Sequence, residues 1–120
     1  MSLEIGKLAE AKVQEYLIKR GYRIIAKNIS YPFGELDIIA EQNGVLVFVE
    51  VKYRQSRQSG FHFEAVNLSK QKKIIKAAQC YLQKCKGEIP SCRFDVVGVW
   101  GTFDSLVIDH IIDAFWIQEY

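Results

Sequence analysis

From Leu3 to Arg20 the apolar positions Ile5, Leu8, Ala9, Val13, Tyr16 and Leu17 recur at steps of three and four, and Gly21 follows. That period predicts an amphipathic helix, and a glycine just past its last apolar residue is a natural stop. Downstream the pattern changes. Tyr22 to Lys27, Glu35 to Glu41 and Val45 to Lys52 are rich in Ile and Val and are separated by the turn formers Pro32-Phe33-Gly34 and Asn43-Gly44, so they predict three strands. A loop from Gln55 to Asn67 follows. Ser69 is placed to cap a second helix running to about Cys85, with Ile74, Ile75, Ala77, Ala78, Tyr81 and Leu82 as its apolar stripe and Gly87 as its stop. After Pro90, Arg93 to Trp100 and Ser105 to Ile111 predict two more strands joined by a turn around Gly101, and Ile112 to Ile117 a short helix. Helix, three strands, helix, two strands is the order of a mixed α/β domain whose helices cover the apolar faces of a sheet.

The second and third strands carry the chemistry. Asn-Gly between two β-rich runs is a strong hairpin signal, because a type I′ turn needs positive φ at both central residues. With Asn43 and Gly44 in those places, Gln42 faces Val45, Ile39 faces Phe48, Asp37 faces Glu50 and Glu35 faces Lys52. The two-residue period of a strand then gathers Glu35, Asp37, Glu50 and Lys52 on one face, and Leu36, Ile38, Ala40, Val47, Val49 and Val51 on the other. The second set is a core face, so a one-residue slip would bury the charges. Two carboxylates facing each other repel unless something compensates. Mg²⁺ accepts one or two carboxylates together with waters and phosphate oxygens, so Asp37 and Glu50 form half a coordination shell beside a phosphodiester. Glu10, on the helical strip Gly6, Glu10, Val13 and Leu17, flanks the buried face of the first helix and could reach the same site. Lys52 could hold an attacking water or neutralise charge in the transition state. The plainer alternative is a solvated sheet face with cross-strand ion pairs, Glu35 with Lys52 and Asp37 with a neighbouring cation. Against it, Val45 to Val51 is apolar on both faces apart from Glu50. That is the pattern of a strand buried on both sides, and a buried acid demands a partner.

Composition narrows the class. The 120 residues, 49% hydrophobic and 25% charged with two prolines, suit one globular domain over 1–120, and argue against disorder or a coiled coil. The longest apolar run, Val45 to Val49, falls far short of the about 20 residues that span a bilayer. Acids lie among the first apolar residues, which no secretory signal carries, so a cytoplasmic protein without a membrane partner is expected. Cys80, Cys85 and Cys92 are odd in number and lack metal-ligand spacing, so they read as reduced thiols. Asn28-Ile29-Ser30 matches a glycosylation acceptor, which matters only in a secreted protein. No Gly-x-Ser-x-Gly elbow, Walker pattern or Gly-x-Gly-x-x-Gly loop occurs.

Charge is uneven. Between Lys52 and Lys86 nine basic residues stand against one acid, a net +8 that leaves −6 on the rest of a chain whose total is +2. Lys70, Lys72, Lys73 and Lys76, with Gln71, fill the first turns of the second helix, where they oppose the helix dipole and so are not explained by helix stability. Beside the Asp37 and Glu50 face they would neutralise phosphates and fix register without reading bases. Tyr53, Arg54 and Arg57 continue from the third strand towards the same place.

The run Gly34-Glu35-Leu36-Asp37-Ile38-Ile39-Ala40, followed by Val47-Phe48-Val49-Glu50-Val51-Lys52-Tyr53-Arg54, resembles the YraN family, a bacterial group of predicted endonuclease-like proteins. Gly6 with Glu10 and Leu17, Ser69-Lys70-Gln71, Arg93-Phe94-Asp95-Val96-Val97 and Ala114-Phe115 extend the likeness over nearly the whole chain. The family is similar in turn to archaeal Holliday-junction resolvases within the PD-(D/E)XK nuclease superfamily. The resemblance implies a restriction-endonuclease-like α/β fold, a central mixed sheet of about five strands flanked by helices. It implies an endonuclease dependent on Mg²⁺ or Mn²⁺ and acting on DNA, with branched or structured DNA as a favoured class. Glu10, Asp37 and Glu50 would be metal ligands, with Val51 in the same metal set, and Lys52 the catalytic lysine. Leu36 stands where the superfamily name has proline, and Ala9 where the family usually has glycine. Neither removes a chemical group.

The rival from another class is a nucleic-acid-binding or repair-accessory module that keeps the scaffold without turnover. Cutting both strands of a junction calls by analogy for a homodimer, with Ile111 to Ile117 as its candidate interface. His62 and His110 have no spacing that demands catalysis and read as structural. Asp95, between Phe94 and Val96, is placed to pair with Arg93, Lys52 or the site.

Overall fold

The computed structural model describes residues 2–54, 66–102 and 104–116, with side chains from Ile5 onward. Arg57, His62 and Ile117 lie outside the described residues.

The element order is the expected one. Helix α1 (Ser2–Lys19) leads into strands β1 (Arg23–Tyr31), β2 (Gly34–Gln42) and β3 (Val45–Arg54), then helix α2 (Leu68–Gln83) and strands β4 (Ser91–Thr102) and β5 (Ser105–Phe115). Gly21 ends α1 with φ 89°, and the Tyr22 amide reaches back to the Leu17 carbonyl at 3.0 Å. This closes the helix through the left-handed residue that glycine adopts without strain. The five strands form one mixed sheet in the order β1-β2-β3-β4-β5. All neighbours are antiparallel except β3 and β4, which run parallel and are joined through α2.

The helices lie on opposite faces. Ala9, Val13 and Leu17 of α1 bury against Ile38, Ala40, Val47, Val49, Val97 and Val99, while Ile74, Ala77 and Ala78 of α2 bury against Ile39, Leu46, Phe48, Phe94, Val96 and Phe115. Strand β3 serves both cores, which is why Leu46 to Val49 read as continuously apolar. Two flanking helices on a five-stranded mixed sheet are what the restriction-endonuclease-like expectation requires. Among the described residues no helix is long and apolar enough to cross a membrane.

Three local expectations are corrected. The stretch from Ile112 is strand, not helix. Asp113 takes φ 57° and the β4–β5 register shifts there, after which Phe115 faces Phe94 and stacks on it at 5.0 Å. Burial of Phe115, 5% exposed, outweighs the helical look of the local pattern. Gly101, expected in the turn, lies inside β4 and faces Leu106. The cap of α2 is Asn67 rather than Ser69: its Oδ1 accepts the Lys70 amide at 2.8 Å from an extended backbone. Asn67→Ala should therefore cost about 1 kcal/mol in urea denaturation, with Ser69→Ala near neutral. The opposite ranking would return the cap to Ser69.

Candidate active site

The hairpin turn forms with φ 51° at Asn43 and 80° at Gly44, and the predicted register holds from Gln42–Val45 to Ile38–Val49. There the β2–β3 ladder stops. Residues 34–36 of β2 pair only with β1, Glu35 with Ser30 and Leu36 with Ile29, so neither of the expected facing pairs, Asp37 with Glu50 and Glu35 with Lys52, is part of the ladder. On the β1 side the ladder also has a gap. Lys27–Ile38 and Ile29–Leu36 are paired, and between them Asn28, with φ 52°, stands opposite Asp37. Side-chain alternation breaks at the same place: Leu36 packs with Ile39 in the α2 core, not with Ile38 and Ala40 on the α1 side as strict alternation would have it. The Asp37 carboxylate is thereby freed to take the place of a ladder acceptor, and its Oδ2 accepts the Val51 amide at 2.9 Å.

Into this opening β3 brings Glu50 and Lys52. Glu50 is 6% exposed and hydrogen-bonded to Asp37. Burial, then the hydrogen bond and the charge of Asp37, push its pKa up to about 9, and the cations Lys70 and Lys52 offset this only in part. Without a cation beside it, Glu50 therefore favours its protonated form at neutral pH. Lys70 Nζ stands 4.0 Å from Glu50 Oε2, outside hydrogen-bond range but close in charge. Glu10 approaches from α1. Its pKa is also raised, by burial and by the charge of Asp37, against a hydrogen bond from the Asn28 side chain that lowers it.

Asp37, Glu50 and Lys52 are thus brought together, with Glu10 on the α1 side of the opening and Glu50 near α2. That division explains why no three acidic, histidine or cysteine side chains converge as a ready metal cluster among the described residues. The donor chemistry still fits a hard divalent cation: two adjacent carboxylates, a third within electrostatic reach, and at Val51 a side chain that leaves only the backbone carbonyl as donor. On the α1 side a cleft of about 610 Å³ is lined by Lys7, Glu10 and Gln14 of α1, Lys27 and Asn28 of β1, and Val51 and Tyr53 of β3.

A family model described as Uncharacterised protein family UPF0102 matches residues 9–99. The chain belongs to that family. UPF0102 is the YraN family that the hairpin residues resemble. A UPF0102 protein of Symbiobacterium thermophilum is 48% identical over 99 residues, covering 82% of this chain and 84% of the relative. Those of Chlorobium chlorochromatii and Fusobacterium nucleatum are 41% and 43% identical and each cover 97% of this chain and 94% of their own. The span matched by the UPF0102 model includes Glu10, Asn28, Asp37, Glu50, Lys52 and Lys70, and leaves out β5.

Around this candidate site the basic residues divide. Lys70 belongs to the site itself, beside Glu50. Gln71 turns its Nε2 back to the Val66 carbonyl at 2.9 Å, and the Lys76 ammonium lies 4.5 Å over the Phe33 ring. Lys72 and Lys73 are exposed on the first turns of α2, and Arg54 bonds the Tyr53 carbonyl at 2.9 Å. Sequence reasoning passed over Lys7, Gln14, Lys27 and Asn28. The available signal was Asn28, a strand-averse residue directly after the first predicted strand, which in the structure runs on through it.

A second polar cluster lies in the α1 core. Asp95, 0% exposed, accepts from Arg93 Nε at 2.8 Å and Nη2 at 3.0 Å and from the Asp113 amide at 2.9 Å, and stands 2.8 Å from His110 Nε2. His110 Nδ1 meets the Tyr16 hydroxyl at 3.0 Å, and Tyr22 accepts from Arg93 at 2.8 Å. Burial alone would raise the Asp95 pKa, but the bonds from His110, Arg93 and Asp113 win and lower it. Of the partners expected for Asp95, Arg93 is present and Lys52 is not.

Proposed function

We propose that this protein is a metal-dependent phosphodiesterase that cuts nucleic acid, DNA in the first instance. The observation that carries the reading is the buried Glu50 carboxyl against Asp37, at a point where two strands part and two lysines stand alongside. Two acids in one small space are costly unless a cation joins them. Mg²⁺ or Mn²⁺ held by Asp37, Glu50 and the Val51 carbonyl, with Glu10 drawn in, would supply a Lewis acid for a phosphate oxygen and a more acidic bound water. Lys52, on the same strand, orients the attacking water and balances the negative charge that grows on the phosphoryl oxygens as the P–O bond breaks. Lys70 holds down the charge of Glu50, and Lys72 and Lys73 neutralise flanking phosphates.

The test is cleavage of labelled linear, single-stranded, flapped and four-way-junction DNA with Mg²⁺ or Mn²⁺. Asp37→Ala and Lys52→Ala, purified identically, should each lose about 10²–10³-fold in rate. Equal cutting by all three proteins would end the mechanism. The second reading, a binding module without turnover, is favoured by the absence of a ready three-acid cluster among the described residues. It would show as DNA binding that weakens with salt while no substrate is cut.

A further inference from the structure

The β1–β2 pairing is interrupted at Asn28, and the motif of acids and lysine does not explain why. The residue is exposed at the rim of the α1-side cleft, so core packing does not force its conformation. It nevertheless holds φ 52°, a left-handed backbone that a residue with a side chain adopts at a cost. Its neighbours Lys27 and Ile29 pair with β2 on either side, and the unpaired position opposite is Asp37. Its side chain lines the same cleft as Glu10 and acts on that carboxyl, lowering its pKa against burial and Asp37. One residue thus borders the helix-borne acid and stands opposite the second. A turn needing only positive φ would be served as well by glycine. What glycine cannot supply is an amide beside Glu10. The amide has the right chemistry for it: an N–H donor fixes a carboxylate while adding no charge that would repel a cation.

We infer that Asn28 is a positioning residue of the site: its left-handed backbone opens the β1–β2 ladder at Asp37, and its side-chain amide holds Glu10 facing the Asp37–Glu50 pair across one metal-binding space. The inference rests on the metal-dependent reading. Outer residues that orient metal ligands contribute about 10–100-fold to metal affinity. Left-handed backbone held against local preference is a feature of functional sites.

The experiment measures the Mn²⁺ dissociation constant of the full chain from the free-ion electron paramagnetic resonance signal, together with thermal unfolding. Asn28→Gly keeps positive φ and removes the amide, whereas Asn28→Ala removes the amide and strains the backbone. Asn28→Gly should melt like wild type yet bind Mn²⁺ about 10–100-fold more weakly. Asn28→Ala should show the same weakening with a lower melting temperature. If Asn28→Gly binds Mn²⁺ as wild type does, the residue has only a backbone role and the inference alone is overturned. If the folded wild type binds no Mn²⁺, the metal-dependent reading fails and this inference goes with it.

Discussion

In the absence of divalent metal, Glu50→Gln should be more stable than wild type, by a margin that grows as pH rises. The ordinary carboxyl value of 4.5 describes the unfolded chain, whereas burial and Asp37 raise Glu50 to about 9 in the fold. Between those values the folded state holds a proton that the unfolded chain has released. Folding then takes up a proton, and stability falls with pH at up to about 1.4 kcal/mol per unit. The contribution is intact below pH 4.5 and lost as pH passes about 9. Glutamine has the same shape, can donate its amide to Asp37 as the protonated acid does, and does not titrate. Urea denaturation in a chelator at each pH from 5 to 9 gives the difference between the two proteins. Parallel stability curves would show that Glu50 ionises in the fold as it does in water, and would remove the argument that the site awaits a cation.

The parts of this site legible in the sequence are those set by local periods. Asn43-Gly44 fixes the hairpin register, and the register places Asp37 near Glu50 and Lys52 two residues beyond. The match of Val45 to Val49 to a doubly buried strand has the same origin. Three things escape a period of two. A left-handed residue inside a strand, Asn28 or Asp113, goes with a break in the alternation of side chains between the two faces, so Leu36 changes core and the stretch from Ile112 resumes as strand instead of becoming helix. Lys70 could be placed on a basic helix but not against Glu50, because the pairing depends on how α2 crosses the sheet. The cluster around Asp95 joins residues up to 94 positions apart, and no local pattern encodes it.

That cluster carries the other large effect, because it fastens α1, and with it Glu10, to the far strands. Tyr16 on α1 and Tyr22 just after it meet Asp95 and Arg93 on β4 and His110 on β5. Asp95→Ala would leave the Arg93 guanidinium, His110 and the Asp113 amide without their shared acceptor in a nearly dry core. Removing one partner of a buried ion pair costs about 3–5 kcal/mol, which in a chain of this size lowers the melting temperature by roughly 10 °C or more. Asp95→Asn keeps one carbonyl oxygen as acceptor and should cost less. The same melts separate this cluster from the active site: Lys52→Ala, at a half-buried position, should leave the melting temperature within a few degrees of wild type. Were Asp95→Ala to cost under about 1 kcal/mol, the network would be a surface-like arrangement that water replaces. Glu10 would then owe its place to the apolar packing of Ala9, Val13 and Leu17 alone.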